Sequence, residues 1–210
     1  MGIRKPNGNV RRPHSKKDSK TRTLIVCGAE QSEKNYLECL IGHHKINSST
    51  VKIFDFPYTP ERLVIETQAI AKAEVKLGEK FDHVFCIVDR DDFAHFNRAK
   101  AHAAKLNYVY IESHPCFEYW LLIHFKPTDM PFAKKGELSV GDVCYKELRS
   151  LYKGYEKNSK KVYVDLLDRM DGAIRYAERT FEQAKLNNEY NPSSNFYLVV
   201  RHLLSMAGKP

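Results

Sequence analysis

No apolar run in these 210 residues approaches the ~20 needed to cross a bilayer. The first residues also lack the apolar segment of a secretory signal peptide. Disulfide scaffolding is equally poorly provided for. The five cysteines, 27, 39, 86, 116 and 144, are odd in number and include no CxxC spacing. Cys27, Cys86 and Cys116 lie in apolar runs, where a free thiol behaves as a small buried hydrophobe. Together these absences predict a reducing, cytoplasmic setting with no membrane partner. There is no internal repeat, no heptad seam and no Walker A sequence, so any ATP hydrolysis must come from another chain.

The excess of positive charge is concentrated in one place. Residues 1–22 hold eight Lys/Arg against the single acid Asp18, which is seven of the formal net charge of +8. The remainder is close to neutral. The basic segment is rich in Gly, Pro, Ser and Asn and is expected to be disordered, either contacting phosphates or acting as a solubilising arm.

From Thr23 onward, strand and helix patterns alternate. Strands are expected at 23–27 (TLIVC), 51–56 (VKIFDF), 84–88 and 108–111. Helices are expected around Tyr36–Ile41, at 60–77, 93–106 and 116–125. Thr59-Pro60 reads as an N-cap followed by proline at the first helical position. This order predicts an α/β fold with a parallel sheet covered by helices on both faces. Beyond Lys126 the period becomes helical, at 139–153, 160–187 and 193–206. The expected organisation is a basic tail at 1–22, an α/β core at 23–126, and a helical extension at 127–210 packed on that core.

The stretch VFCIVDRDDF (84–93) runs from an apolar strand into three aspartates. In open α/β sheets, ligands bind just outside the carboxyl ends of the strands. In extended chain, Asp89 and Asp91 would leave the same face roughly 6–7 Å apart. That spacing lets two carboxylates flank one hard cation such as Mg2+, whose oxygen ligands stand at about 2.0–2.1 Å. Asp92, or Asp91, can instead cap the helix that follows. Glu30 and Glu33 follow the first strand, and right-handed crossovers bring both acidic loops to one rim of the sheet. Acids in these two places match the arrangement of the TOPRIM fold. Glu30 and Glu33 can also be first-turn acids favoured by the helix dipole.

Four segments resemble the RloB-like proteins found beside bacterial restriction and phage-defence loci: LIVCGAEQSEKNY (24–36), FCIVDRDDF (85–93), ESHPCFEYWLLIHF (112–125) and NPSSNFYLVVRHL (191–203). The resemblance implies a small TOPRIM-type protein, often encoded beside an ATPase of the ABC/SMC type. It further implies Mg2+-dependent (or Mn2+-dependent) cleavage of nucleic acid regulated by that ATPase. One departure stands out. The family usually places a glutamate where this chain has Gly28, which leaves Glu30, or Glu33 (matching a second family glutamate), to substitute.

Glu118 lies in an otherwise apolar helix, and a buried carboxylate needs a partner. It either completes a metal site or pairs with a cation. His124, on the same helix, reads as a core histidine. His114 reads as a turn residue that could reach the acidic rim. Residues 148–163 interleave Arg149, Lys153, Lys157, Lys160 and Lys161 with Tyr152, Tyr155 and Tyr163. That pattern suits single-stranded nucleic acid, with cations on phosphates and rings on bases. It suits equally a solvated junction with core tyrosines.

The expectation is a metal-dependent nuclease subunit. Asp89 and Asp91, with Glu30 or Glu33, would hold the metal, and Asp92 and Glu118 would serve a second metal or orient the first ligands. The alternatives are a non-catalytic module of the same fold and, more remotely, a nucleotide-binding transferase that uses the DxD pair.

Overall fold

The computed structural model describes residues 21–29, 31–91 and 93–207. Five strands form one sheet in the order β2-β1-β3-β4-β5. They are β1 (Thr23–Cys27), β2 (Val51–Asp55), β3 (His83–Asp89), β4 (Val109–His114) and β5 (Ser193–Ser194). The first four are parallel and β5 is antiparallel to β4. The helices are α1 (Ser32–His43), α2 (Pro60–Lys76), α3 (Phe96–Lys105), α4 (Glu118–Leu122), α5 (Val140–Leu151), α6 (Val162–Asp165), α7 (Met170–Asn187) and α8 (Tyr197–Met206).

The inner strands β1 and β3 read as nearly continuous apolar runs because both faces of the sheet are covered there, while β2 at the edge alternates and is half-buried. Alternation along the strands then divides their side chains between two clusters. Ile25, Cys27, Phe85, Ile87 and Ile111 pack under residues of α1 and α4–α8. Leu24, Val26, Val84, Cys86 and Val88 pack under α2 and α3. Trp120, Tyr36, Tyr119 and Phe196 fill the first cluster and are almost wholly buried. The helices after residue 127 therefore share a core with the sheet. The last of them also reaches β1, where His202 Nε2 meets Thr23 Oγ1 at 2.8 Å.

Several boundaries differ from the sequence expectation, and most have a local cause. Strand β4 runs on through Glu112, Ser113 and His114, because β5 supplies partners for these polar residues: Ser113 pairs with Ser194 and His114 with Ser193. Asn195 extends that edge by mimicking a peptide. Its Oδ1 accepts from Glu112 N at 2.7 Å and its Nδ2 donates to Tyr110 O at 3.0 Å. The helix expected from 193 consequently begins at Tyr197. Helix α3 starts at Phe96 rather than Phe93, with the Phe93 carbonyl taken by Arg90 Nη1 at 3.1 Å. The expected 160–187 helix is interrupted by a 3-10 turn at Leu167–Arg169. Helix α5 is closed by a reciprocal capping box between Ser139 and Asp142.

Arg22, grouped by sequence with the basic tail, belongs to the folded body. Its main-chain N–H donates to Asp82 Oδ2 at 2.8 Å, its guanidinium pairs with Glu74 at 3.2 Å, and it lies over the Phe81 ring. The rest of the basic charge lies in residues 1–20, outside the described residues. Among the described residues, no helix is long and apolar enough to cross a membrane.

Candidate functional site

Between β1 and β3 the chain leaves the sheet toward opposite faces, into α1 on one side and α3 on the other. A crevice at such a switch point is where an open α/β sheet presents its ligand site. A cavity of about 560 Å³ opens there, lined among others by Glu33, Asp89, Glu118, Tyr145 and Lys157. Glu33 comes from the first turn of α1, Asp89 ends β3, and Glu118 opens α4. Three carboxylates from three elements thus face one space.

Their surroundings are poor in compensating groups. Glu33 is 1 % exposed, and among the described residues neither of its carboxylate oxygens has a hydrogen-bond partner. Burial, opposed by its own nearby main-chain N–H (too poorly aligned to count as a hydrogen bond) and reinforced by Glu118, pushes its carboxyl up to about 7. Asp89 is partly exposed as a residue, yet its Oδ1 is buried without a partner. Burial, then Glu33, Glu118 and Asp91, hold its carboxyl well above the usual range, against a main-chain bond from Phe117. Glu118 is better served. Tyr155 Oη donates to it at 3.4 Å, and the Lys157 ammonium stands 3.5 Å away.

Lys157 arrives on a loop tied to the start of α1. Ser32 Oγ donates to the Lys157 carbonyl at 3.0 Å, and Asn35 Nδ2 to the Asn158 carbonyl at 3.1 Å. Partial burial would lower its ammonium, but Glu118 and the other nearby acids raise it. The loop therefore lays one charged amine across the mouth of an acidic cavity.

The structure sorts the sequence candidates. Glu33, Asp89, Glu118 and Lys157 meet. Glu30 and Asp92 lie outside the described residues. Asp91 corrects the expectation of an extended pair. The strand ends at Asp89, and Asp91 sits in a turn with φ +33°, a conformation more often granted to Asn, Asp and Gly. Two aspartates on one strand face is thus not the observed geometry. Asp91 lines a second cavity while remaining near enough to raise Asp89.

Of the basic stretch, only Lys157 lines the acidic cavity. Arg149 rests over Tyr145, and Lys153, Lys160 and Lys161 are exposed. Tyr155 is 2 % exposed and Tyr163 is fully buried, so these two rings are core and not base platforms. His124 is also core, its Nδ1 bonded to the Trp120 carbonyl at 2.8 Å.

Gly28 has a structural reason. Its N–H donates to the Ile87 carbonyl at 2.8 Å, and a Cβ here would stand 3.3 Å from that oxygen. A side chain at 28 requires β3 to give by a few tenths of an ångström.

Among the described residues, no group of three or more His, Cys, Asp or Glu side chains is gathered closely enough to cage a metal ion. Mg2+ needs no such cage, because it keeps several waters and is held through one or two carboxylates. The carboxylates that line the cavity, and the partnerless oxygens of Glu33 and Asp89 among them, fit that mode of binding.

A second constellation escaped the sequence reading. Glu112 and His114, two apart on β4, leave the same face toward α3. Glu112 accepts from Lys100 and stands 3.2 Å from His114 Nε2. The signal was there, as two polar residues at strand spacing, but it read as the approach to the His114-Pro115 turn.

No curated protein matches the sequence. A family model described as RloB-like protein matches residues 23–203, nearly the whole of the described chain.

Proposed function

Because the chain belongs to the RloB-like family, we propose that it is a metal-dependent phosphodiester hydrolase of TOPRIM type acting on nucleic acid. The observation that carries this reading is the convergence of Glu33, Asp89 and Glu118 on one cavity at the switch point of the sheet. Three carboxylates share the single internal cation Lys157, which stands by Glu118, so the excess of like charge favours an external cation. Asp89 and Glu33 would hold Mg2+ or Mn2+. Bound between them, the metal would polarise a phosphoryl oxygen and lower the pKa of a coordinated water. Lys157 supplies the cavity's positive edge and holds a phosphate oxygen, released from Glu118 as the substrate charge arrives. Glu118, fixed by Tyr155, positions that lysine. Asp91 and, from outside the described residues, Glu30 and Asp92 are further candidates for outer ligands. No Walker A sequence is present, so regulation by an ABC/SMC-type ATPase partner, as the family resemblance implies, is part of the proposal. Bacterial phage defence is the setting it suggests.

The test is cleavage of labelled DNA and RNA in Mg2+ or Mn2+, with and without the neighbouring ATPase. Metal-dependent cleavage lost in Asp89→Asn supports the reading; cleavage that ignores Asp89, Glu33 and metal overturns it. Gly28 favours a second reading, a non-catalytic module of the same fold that binds nucleic acid or the ATPase. Binding of either, with no cleavage under any condition, selects it.

A further inference from the structure

Across the end of β3 from the carboxylate cavity lies another, of about 510 Å³, within the range that holds small ligands. Its lining includes Arg90, Asp91, Asn97, Lys100, Glu112 and Tyr190. The charges balance, two cations against two carboxylates. Lys100 is bonded to Glu112, and Arg90 Nη1 is engaged with the carbonyls of Asp91 at 2.8 Å and Phe93 at 3.1 Å. Such a space has no strong field for a bare phosphate. It offers donors and acceptors side by side, and the Asn97 amide presents both.

One wall is aromatic. The half-buried Tyr190 ring lies against His114, centroids 5.2 Å apart at 26°, with the Lys100 ammonium 5.3 Å from its centre. Asp91, on the rim of this cavity, is two residues from Asp89 in the other, a span of at most about 7 Å of chain. The two cavities are therefore consecutive along the same lip of the sheet.

We propose that this second cavity receives one unstacked base of the nucleic-acid strand whose phosphate lies at the Glu33–Asp89–Glu118 cavity. The proposal rests on the phosphodiesterase reading and names the substrate feature it requires, a single-stranded or locally opened segment. A base is a flat, uncharged heterocycle with donors and acceptors on its edge. It matches a charge-balanced, amide-bearing space with a ring on one wall. Extrusion of a base is least costly where it is already unpaired, which sets the preference for single strands.

The probes are the four ribonucleosides, which carry no phosphate, titrated at millimolar concentration onto the full chain without metal and followed by ligand-observed NMR. At least one should bind. Tyr190→Ala should weaken it roughly ten-fold, in the range of stacking losses, and Tyr190→Phe should retain it. Asn97→Ala, at an exposed position on α3, should also weaken binding and serves if Tyr190→Ala fails to fold. Absence of any nucleoside binding, binding indifferent to both alanine variants, or displacement of the nucleoside by inorganic phosphate overturns the proposal. Asp89→Asn separates the two readings, since it should bind nucleoside like wild type while failing to cleave. Cleavage by wild type without nucleoside binding sinks the base cavity alone. Nucleoside binding without cleavage sinks the phosphodiesterase alone.

Discussion

On one side of the β3 terminus, Glu33 and Asp89 are held with buried oxygens that have no partner. On the other, Glu112 is no less buried but is satisfied by Lys100 and His114. Burial alone would raise the Glu112 carboxyl, yet His114 and Lys100 hold it below the usual range. Glu33 has the same side chain and nearly the same burial, and it moves the opposite way, to about 7. The difference lies in the cations the fold supplies. A buried acid with internal partners is part of the architecture, while one left without them costs the fold stability.

The largest effect should separate the two sides at the level of activity. If cleavage is found, Asp89→Asn should lower its rate on the order of 100-fold or more. Glu112→Gln should change it far less, as measured on one labelled oligonucleotide under saturating metal. Equal losses in both variants would erase the distinction.

Stability against pH should sharpen it. Between about 4.5 and 7 the folded protein keeps a proton on Glu33 that the unfolded chain releases. More protons are bound in the native state, so stability falls as pH rises through that window and levels off above it, by on the order of 2–3 kcal/mol. Asp89, also raised, acts in the same direction. Denaturant melts of metal-free protein should therefore show greater stability near pH 5 than near pH 7.5. Glu33→Gln should flatten the slope, and a wild-type profile rising across this range would contradict the assignment.

Removing Glu112 should act on the fold. Glu112→Gln removes the negative charge and one of the two acceptor oxygens that Lys100 and His114 share, and should cost about 2 kcal/mol, moderated by the partial exposure of Lys100. Glu33→Gln at pH 7.5 should be neutral or stabilising by up to about 1 kcal/mol, since it removes repulsion. Added Mg2+ at ten times its Kd should raise the wild-type Tm by about 3–5 °C through mass action. That rise should persist in Glu112→Gln and vanish in Asp89→Asn. The smallest effect belongs to the basic segment. Deleting residues 1–20, leaving Arg22 in place, should shift the Tm by less than about 1 °C. The same deletion should reduce the salt dependence of nucleic-acid binding.

The sheet was legible because strands buried on both faces cannot hide their apolar runs: β1 and β3 lie almost where those runs fall, and β2 almost where apolar and polar residues alternate. The end of β4 was not, because Glu112, Ser113 and His114 look like a departure from the sheet until Ser193–Asn195 arrive from some eighty residues away to pair with them. The site divides in the same way. Glu33, Asp89 and Glu118 were visible one by one as acids in places where acids need a reason. Their convergence depends on topology, and the turn at Asp91 on a backbone angle that no spacing rule anticipates. Lys157 stood among five basic candidates, and only the bonds of its loop to Ser32 and Asn35 single it out.

The amide of Asn195, seated on Tyr110 and Glu112 as a peptide would be, has a consequence for association. An exposed strand edge is a template for another chain, in specific assembly and in aggregation alike. With β5 only two residues long, the outer row of β4 would otherwise lie open beyond Ser113. Asn195 closes it with a side chain that cannot be extended by a further strand. Growth of the sheet is thereby directed to the opposite margin, at β2. There Lys52, ion-paired to Glu74, and Pro57 just beyond the strand are the kinds of residue that discourage indiscriminate pairing.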